Sequence, residues 1–205
     1  RGQGAEEARL FTREGAKVVI GDVLEEEGKQ LEAQINEGGG ECLFIRLDVT
    51  KASDWQHAVE ATVARFGKLD VLVNNAANPL AQPLGQITVD ALTKSFDVNL
   101  RGPVMLVQEA LPHLKNSAHA AVLNMVSIGG FIFAPALSIY ASMKSALMSF
   151  PRSMAAEFAG DGIRVNALAP GPVDTDMMRK NPQEVIDGMV SGTLMRRLAS
   201  ADEMV

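Results

Sequence analysis

Short apolar runs rich in Val, Ile and Leu alternate along the chain with longer stretches of helical patterning. The runs KVVIG (17–21), CLFIR (42–46), LDVLVN (69–74), AAVLNMV (120–126) and IRVNALA (163–169) are each bounded by turn residues. Near-continuous apolar runs of this length suit strands covered on both faces. The segments between them predict helices over 5–14, 24–37, 51–66, 88–98, 101–116 and 138–159. Strand-then-helix order, repeated, predicts an α/β fold with a doubly wound parallel sheet and helices on both faces. No internal repeat, low-complexity tract or linker interrupts the pattern, so one domain over 1–205 is expected.

The pattern is incomplete at its ends. The chain opens at Arg1-Gly2-Gln3-Gly4, directly before a helix and with no strand ahead of it. It closes just after Ser200-Ala201-Asp202-Glu203, the Ser-x-x-Glu form of a capping box whose helix would have barely one turn. A natural protein longer at both ends is the expectation.

Composition narrows the functional classes. The formal net charge is -6 with no run of lysine or arginine, so neither nucleic acid nor an anionic membrane surface is an expected partner. Cys42 is the only cysteine, which excludes an intrachain disulfide and a cysteine-rich zinc site. His57, His113 and His119 show no metal-ligand spacing. Nothing resembles a signal peptide, and the most apolar stretch, FIFAPAL (131–137), is too short to span a bilayer. A soluble cytoplasmic protein is expected.

Two places carry candidate chemistry. At the first, Gly2-x-Gly4 opens a helix, where free N–H groups favour a pyrophosphate and glycine lets backbone come close to it. This is half of the usual fingerprint, and a flexible terminal segment reads the same way. Asp22, at the end of the first apolar run, lies about where that fingerprint expects an acid on a ribose 2′-hydroxyl. A carboxylate there repels a 2′-phosphate and favours NAD over NADP. Arg1 beside the glycines points mildly the other way, and a solvated strand-end turn explains Asp22 equally simply.

At the second place, YASMK (140–144) sets Tyr140 and Lys144 four apart, on one face of a helix. A free phenol has a pKa near 10, and bringing it to about 7 requires about 4 kcal/mol of preferential stabilisation of the phenolate. A neighbouring ammonium is expected to supply much of that. The bland alternative is a core tyrosine beside a surface lysine. Ser127 follows a buried strand, where the ligand crevice of a parallel sheet lies, while Ser138 reads as a helix N-cap. Asn74, Asn75 and Asn99 are also readable as partners for buried backbone groups.

Taken together, RGQG (1–4), Asp22, LDV (47–49), NNAA (74–77), VNL (98–100), VSIGG (126–130), YASMK (140–144) and PGPVDT (170–175) resemble the short-chain dehydrogenase/reductase family over the whole chain. The resemblance implies a Rossmann-type parallel sheet of seven strands, usually in a homotetramer or homodimer, with the first and last strands missing here. In the family that first strand lies centrally, between the strands represented by KVVIG and LDVLVN. The resemblance further implies Tyr140 as general acid/base, Lys144 lowering its pKa and holding the nicotinamide ribose, and Ser127 polarising the substrate oxygen. Asn99 would support a water-linked proton path to Lys144. For the cofactor it implies Arg1, Gly2, Gln3 and Gly4 at the pyrophosphate, Asp22 and Val23 at the adenosine ribose, and Asp48 and Val49 beside the adenine. Asn75, Ala76 and Ala77 would line the cofactor ribose. Pro170, Gly171, Val173 and Thr175 would meet the nicotinamide end. Ala77 stands where the family usually has glycine.

The substrate is expected to be a small hydrophobic alcohol or ketone. Ile128, Gly129, Gly130, Phe131, Ile132 and Phe133 make one wall apolar, and residues 172–195, with Met177, Met178, Met189 and Met195, would form an adaptable lid. Plain core packing explains those methionines equally well. Three functions follow from the residues: an NAD(H)-dependent oxidoreductase of secondary alcohols and ketones, an NADPH-dependent 3-oxoacyl-thioester reductase, and a catalytically silent dinucleotide-binding or oligomerising protein.

Overall fold

The computed structural model describes residues 1–132 and 135–205; Phe133, expected in the apolar wall, lies outside the described residues. In chain order the elements are α1 (Gln3–Arg13), β1 (Lys17–Asp22), α2 (Glu25–Glu37), β2 (Glu41–Arg46), α3 (Ala52–Phe66), β3 (Val71–Asn74), α4 (Val89–Phe96), α5 (Gly102–Leu114), β4 (Ala121–Met125), α6 (Ser138–Glu157), β5 (Arg164–Leu168) and α7 (Gln183–Gly192). Every strand and helix expected from the patterning is present, with boundaries shifted by a few residues; α7 was not among them. The chain forms two compact units, Arg1–Arg46 with Pro170–Val205, and Leu47–Ala169.

In the first unit β1 and β2 pair in parallel from Lys17↔Glu41 to Asp22↔Arg46. Parallel strands need a crossover of a dozen or more residues, which α2 supplies. Helices α1 and α2 bury Ala5, Ala8, Leu31 and Ile35 with Cys42. Beside that core Glu7 is nearly inaccessible, its Oε1 has no hydrogen-bond partner among the described residues, and burial pushes its carboxyl up to about 7. The terminal Ser200–Glu203 motif forms half of a capping box: Glu203 accepts the Ser200 N–H at 2.8 Å, ahead of a 3₁₀ turn over Asp202–Met204.

In the second unit the sheet runs β3-β4-β5, all parallel. Its central strand β4 is the most buried, while β5, with one partner, keeps several residues exposed. The core gathers Val59 of α3, Val107, Ala110 and Leu114 of α5, Val122 of β4 and Met154 of α6. Helix α6 starts at Ser138, and Leu137 occupies the N-cap place without a side-chain bond. Ser138 is therefore not the cap that its residue type suggests; it stands one position inside. Pro151, also in α6, is buried, and its missing N–H leaves the helix assigned as one element to Glu157.

Between α4 and α5 the backbone widens into a π turn over Asp97–Arg101, with the Gly102 N–H reaching the Asp97 carbonyl. Pro103 is four beyond Asn99 and five beyond Val98, and it has no N–H to offer either carbonyl. No helix among the described residues is long and apolar enough to cross a membrane, and among them no group of three or more His, Cys, Asp or Glu is placed to hold a metal.

Candidate active site

The catalytic candidates all lie in the second unit, where β4 ends and α6 begins. Ser127 follows β4 in an extended conformation, and its Oγ accepts the Gly129 N–H at 3.1 Å. With that acceptor position filled from the protein, the Ser127 proton is left to point elsewhere. Ser127 lies near enough to Tyr140 to draw its pKa down against the effect of burial. Lys144, one turn along α6, is 2% exposed, and its Nζ donates to the Met125 carbonyl at 2.7 Å, lying 5.9 Å from the Tyr140 ring centroid. Tyr140, Ser127 and Lys144 thus converge on the carboxyl end of β4.

The electrostatics differ from the expectation that Lys144 makes the phenol acidic. Burial raises the Tyr140 pKa above its ordinary value, and the opposing pull comes from the Ser127 hydrogen bond. Burial also holds the Lys144 amine down to about 8. Desolvation disfavours the charged form of each group, so it shifts an acid and a base in opposite directions. The neutral, protonated form of the phenol is therefore favoured in this arrangement.

Asn99 is fully buried in the π turn and its side chain is spent on structure. Its Nδ2 donates to the Asn78 carbonyl and to the Ser95 carbonyl, each at 2.9 Å, and its Oδ1 accepts the Asn78 N–H at 3.0 Å. Asn75, Ala76 and Ala77 form the irregular segment between β3 and the Asn78 that Asn99 holds. Asn74 is buried and donates to Asn124 Oδ1 at 3.0 Å, a structural role. Asp48 binds the Thr50 hydroxyl at 2.7 Å and its N–H at 3.0 Å, and the Val49 carbonyl accepts the Trp55 indole N–H at 2.8 Å.

In the first unit Gly2 takes the N-cap place of α1 with φ 59, a left-handed conformation that favours glycine. A side chain there would also lie 3.4 Å from Thr175 Cγ2. Gln3 and Gly4 form the first turn, whose N–H groups have no partner inside a helix; Arg1 is exposed. Asp22 ends β1, and its Oδ1 accepts the Leu24 N–H at 3.1 Å, while Val23 is exposed. Pro170 and Gly171 lead into Val173, which is buried and bridges Ala199, and Thr175 Oγ1 accepts the Met178 N–H at 3.3 Å. Sequence reasoning passed over Gly129, Met125 and Asn78 as partners of the site residues; the paired glycines after Ser127 were the available signal for the first.

A family model described as enoyl-(acyl carrier protein) reductase matches residues 1–205. The 2,5-dichloro-2,5-cyclohexadiene-1,4-diol dehydrogenase LinX of Sphingobium indicum is 35% identical over 199 residues, covering 96% of this chain and 79% of that protein. A short-chain dehydrogenase/reductase from Serratia marcescens has a TM-score of 0.94 at 28% identity, covering 100% of this chain and 83% of the other. A 7α-hydroxysteroid dehydrogenase complexed with NADH and 7-oxo glycochenodeoxycholic acid has a TM-score of 0.95 at 26% identity, covering 100% and 80%. The chain belongs to the short-chain dehydrogenase/reductase family. Its fold is the doubly wound, Rossmann-type α/β class, and it is an oxidoreductase of the alcohol dehydrogenase and ketone reductase kind that uses a nicotinamide dinucleotide.

Proposed function

We propose that the protein is an NAD(H)-dependent oxidoreductase interconverting a hydrophobic secondary alcohol and its ketone. The observation that carries this reading is the grouping of Ser127, Tyr140 and Lys144 at the end of β4, with the phenol held protonated. In the reductive direction Ser127 and Tyr140 hydrogen-bond the substrate carbonyl oxygen, and Tyr140 gives its proton to that oxygen as charge develops there. A nicotinamide, when bound, would supply the hydride to the carbonyl carbon. Lys144 places an ammonium behind the phenol and stabilises the phenolate left after transfer; Asn99 would support a water-linked path that returns a proton toward Lys144.

The residues fit the cofactor. The free N–H groups at Gln3 and Gly4 and the glycine at Gly2 suit a pyrophosphate, with Arg1 alongside. Asp22 and Val23 would hold the adenosine ribose, Asp48 and Val49 the adenine, and Asn75, Ala76 and Ala77 the second ribose. Pro170, Gly171, Val173 and Thr175 would meet the nicotinamide. Asp22 keeps one oxygen for a ribose hydroxyl, which supports NAD over NADP.

Exposed Ile128, Phe131 and Ile132 support an uncharged, apolar substrate. Residues 172–195, with exposed Met177 and Met195, keep the flexible apolar side chains that an adaptable lid needs. The names of the relatives, a cyclic diol dehydrogenase and a hydroxysteroid dehydrogenase, point to the same substrate class. Exposed Val89, Leu92 and Phe96 on one stripe of α4 support assembly as a homodimer or homotetramer, and the buried free thiol of Cys42 suits a reducing cytoplasm. A second reading, reduction of a 3-oxoacyl thioester with NADPH, draws on the description of the matching family model and on Arg1. Turnover on a panel of cyclic ketones and 3-oxoacyl thioesters, with NADH and NADPH compared, separates the two. NADH is expected to give at least about tenfold higher kcat/KM on a cyclic ketone, and Asp22→Ser to narrow that ratio. Preference for NADPH and a thioester would favour the second reading.

A further inference from the structure

We infer that Gly130 and Ser145 form a seat on α6 that sets the spacing between Ser127 and Tyr140, and that both are positioning residues for the proton transfer. The inference rests on the proposed role of Tyr140. After Ser127 the chain turns through Ile128–Gly130, with the Gly130 N–H on the Ser127 carbonyl at 3.0 Å and the Phe131 N–H on the Ile128 carbonyl at 2.9 Å. This turn lies directly on the helix that carries Tyr140 and Lys144. A methyl group at Gly130 would stand 3.0 Å from Met148 Cε, 3.1 Å from the Ser145 amide nitrogen and 3.2 Å from the Lys144 carbonyl carbon. Two of those three neighbours are helix backbone and cannot yield as a flexible side chain does. Gly130 is thus a glycine because of close approach, its φ being unremarkable for any residue.

The turn is also tied down. Ser145 Oγ donates to the Gly130 carbonyl at 2.7 Å, fastening the end of the turn to the residue that follows Lys144. In the middle of the turn a side chain on Gly129 would lie 3.3 Å from Ser127 Oγ and 3.8 Å from Tyr140 Cε1. The Gly129 N–H already fills one acceptor position of that hydroxyl. A short segment therefore runs from Ser127, through two glycines, to a hydrogen bond on α6. Its length and its closeness to the helix determine where the Ser127 hydroxyl meets Tyr140.

The test uses the fact that Tyr140 is the only tyrosine of the chain, so its ionisation can be followed by phenolate absorbance without interference from a second phenol. Ser145→Ala, Ser145→Thr and Gly130→Ala would be compared with the parent in kcat, KM and tyrosine titration. Ser145→Ala is expected to lower kcat about fivefold, the scale of one lost hydrogen bond, with KM nearly constant. The same variant should titrate Tyr140 at higher pH, because the Ser127 hydrogen bond that opposes burial is loosened. Ser145→Thr restores both, and Gly130→Ala, where it folds, exceeds Ser145→Ala in both. A lower melting temperature with unchanged kcat and unchanged titration in Ser145→Ala would overturn the seat. Absence of ketone turnover in the parent would instead remove the proposed activity, while a shifted titration would still report the seat.

Discussion

Tyr140→Phe lowers ketone turnover by about 10²–10⁴-fold while leaving cofactor affinity within a few-fold of the parent. That range is the usual contribution of a positioned general acid. The substitution removes one oxygen and keeps the ring, so the packing around the start of α6 is disturbed little. In the parent, burial keeps the phenol protonated beyond its ordinary range, so its hydroxyl is present to hydrogen-bond the substrate oxygen. Phenylalanine offers the substrate oxygen neither the hydrogen bond nor the proton. Steady-state kinetics with a cyclic ketone, paired with a cofactor titration followed by fluorescence, checks both halves. Undiminished turnover would take Tyr140 out of the mechanism.

Lys144→Met separates catalysis from stability. The buried amine has a pKa of about 8 against an ordinary 10.5. A depressed folded value contributes stability above the unfolded pKa that is lost as pH falls through the folded one. At pH 7 the fold therefore carries the full cost of a buried ammonium, about 3 kcal/mol at 1.36 kcal/mol per unit. Removing the charge relieves that cost. It also leaves the Met125 carbonyl without the donor it has at 2.7 Å, a loss of about 1–3 kcal/mol. The two changes nearly cancel, so denaturant unfolding at pH 7 should place the variant within about 2 kcal/mol of the parent. Turnover should nevertheless fall by at least about a hundredfold, because no cation remains to stabilise the phenolate. In the parent, ketone reduction should decline as pH rises through about 8, where the amine loses its proton. A folded variant with parental turnover would contradict the role given to Lys144.

The parts of this site that could be read in the sequence are those set by local spacing. Tyr140 and Lys144 share a helix face because they are four residues apart, and that required no knowledge of the fold. Ser127 was separable from Ser138 because it follows an apolar run, and strand ends are where a parallel sheet opens. The strand positions followed from the density of Val, Ile and Leu. Helix α7 was missed although Pro182 precedes it, Glu184 sits in its first turn, and Val185, Ile186, Met189 and Val190 recur at helical spacing. The methionines drew that segment toward a reading as an adaptable lid instead.

What the sequence could not supply depends on residues far apart in the chain. The sign of the Tyr140 shift is one such case: proximity to an ammonium argues for an acidic phenol, whereas burial argues the opposite, and only packing decides. The side chain of Asn99 is another. Its residue type fits either a structural or a relay role, and the bonds to Ser95 and Asn78 assign the side chain to the first. The Gly130–Ser145 bond joins positions whose nearness depends on how the loop after β4 returns to α6.

The account turns most directly on the ionisation of the lone tyrosine. Its phenolate absorbance, followed as pH is raised in the folded, cofactor-free protein, should develop only above the ordinary phenol value of 10.0. Ser127→Ala should move it higher still. Ionisation at or below that value would mean a phenol open to solvent, and would contradict a half-buried, protonated phenol at the end of β4.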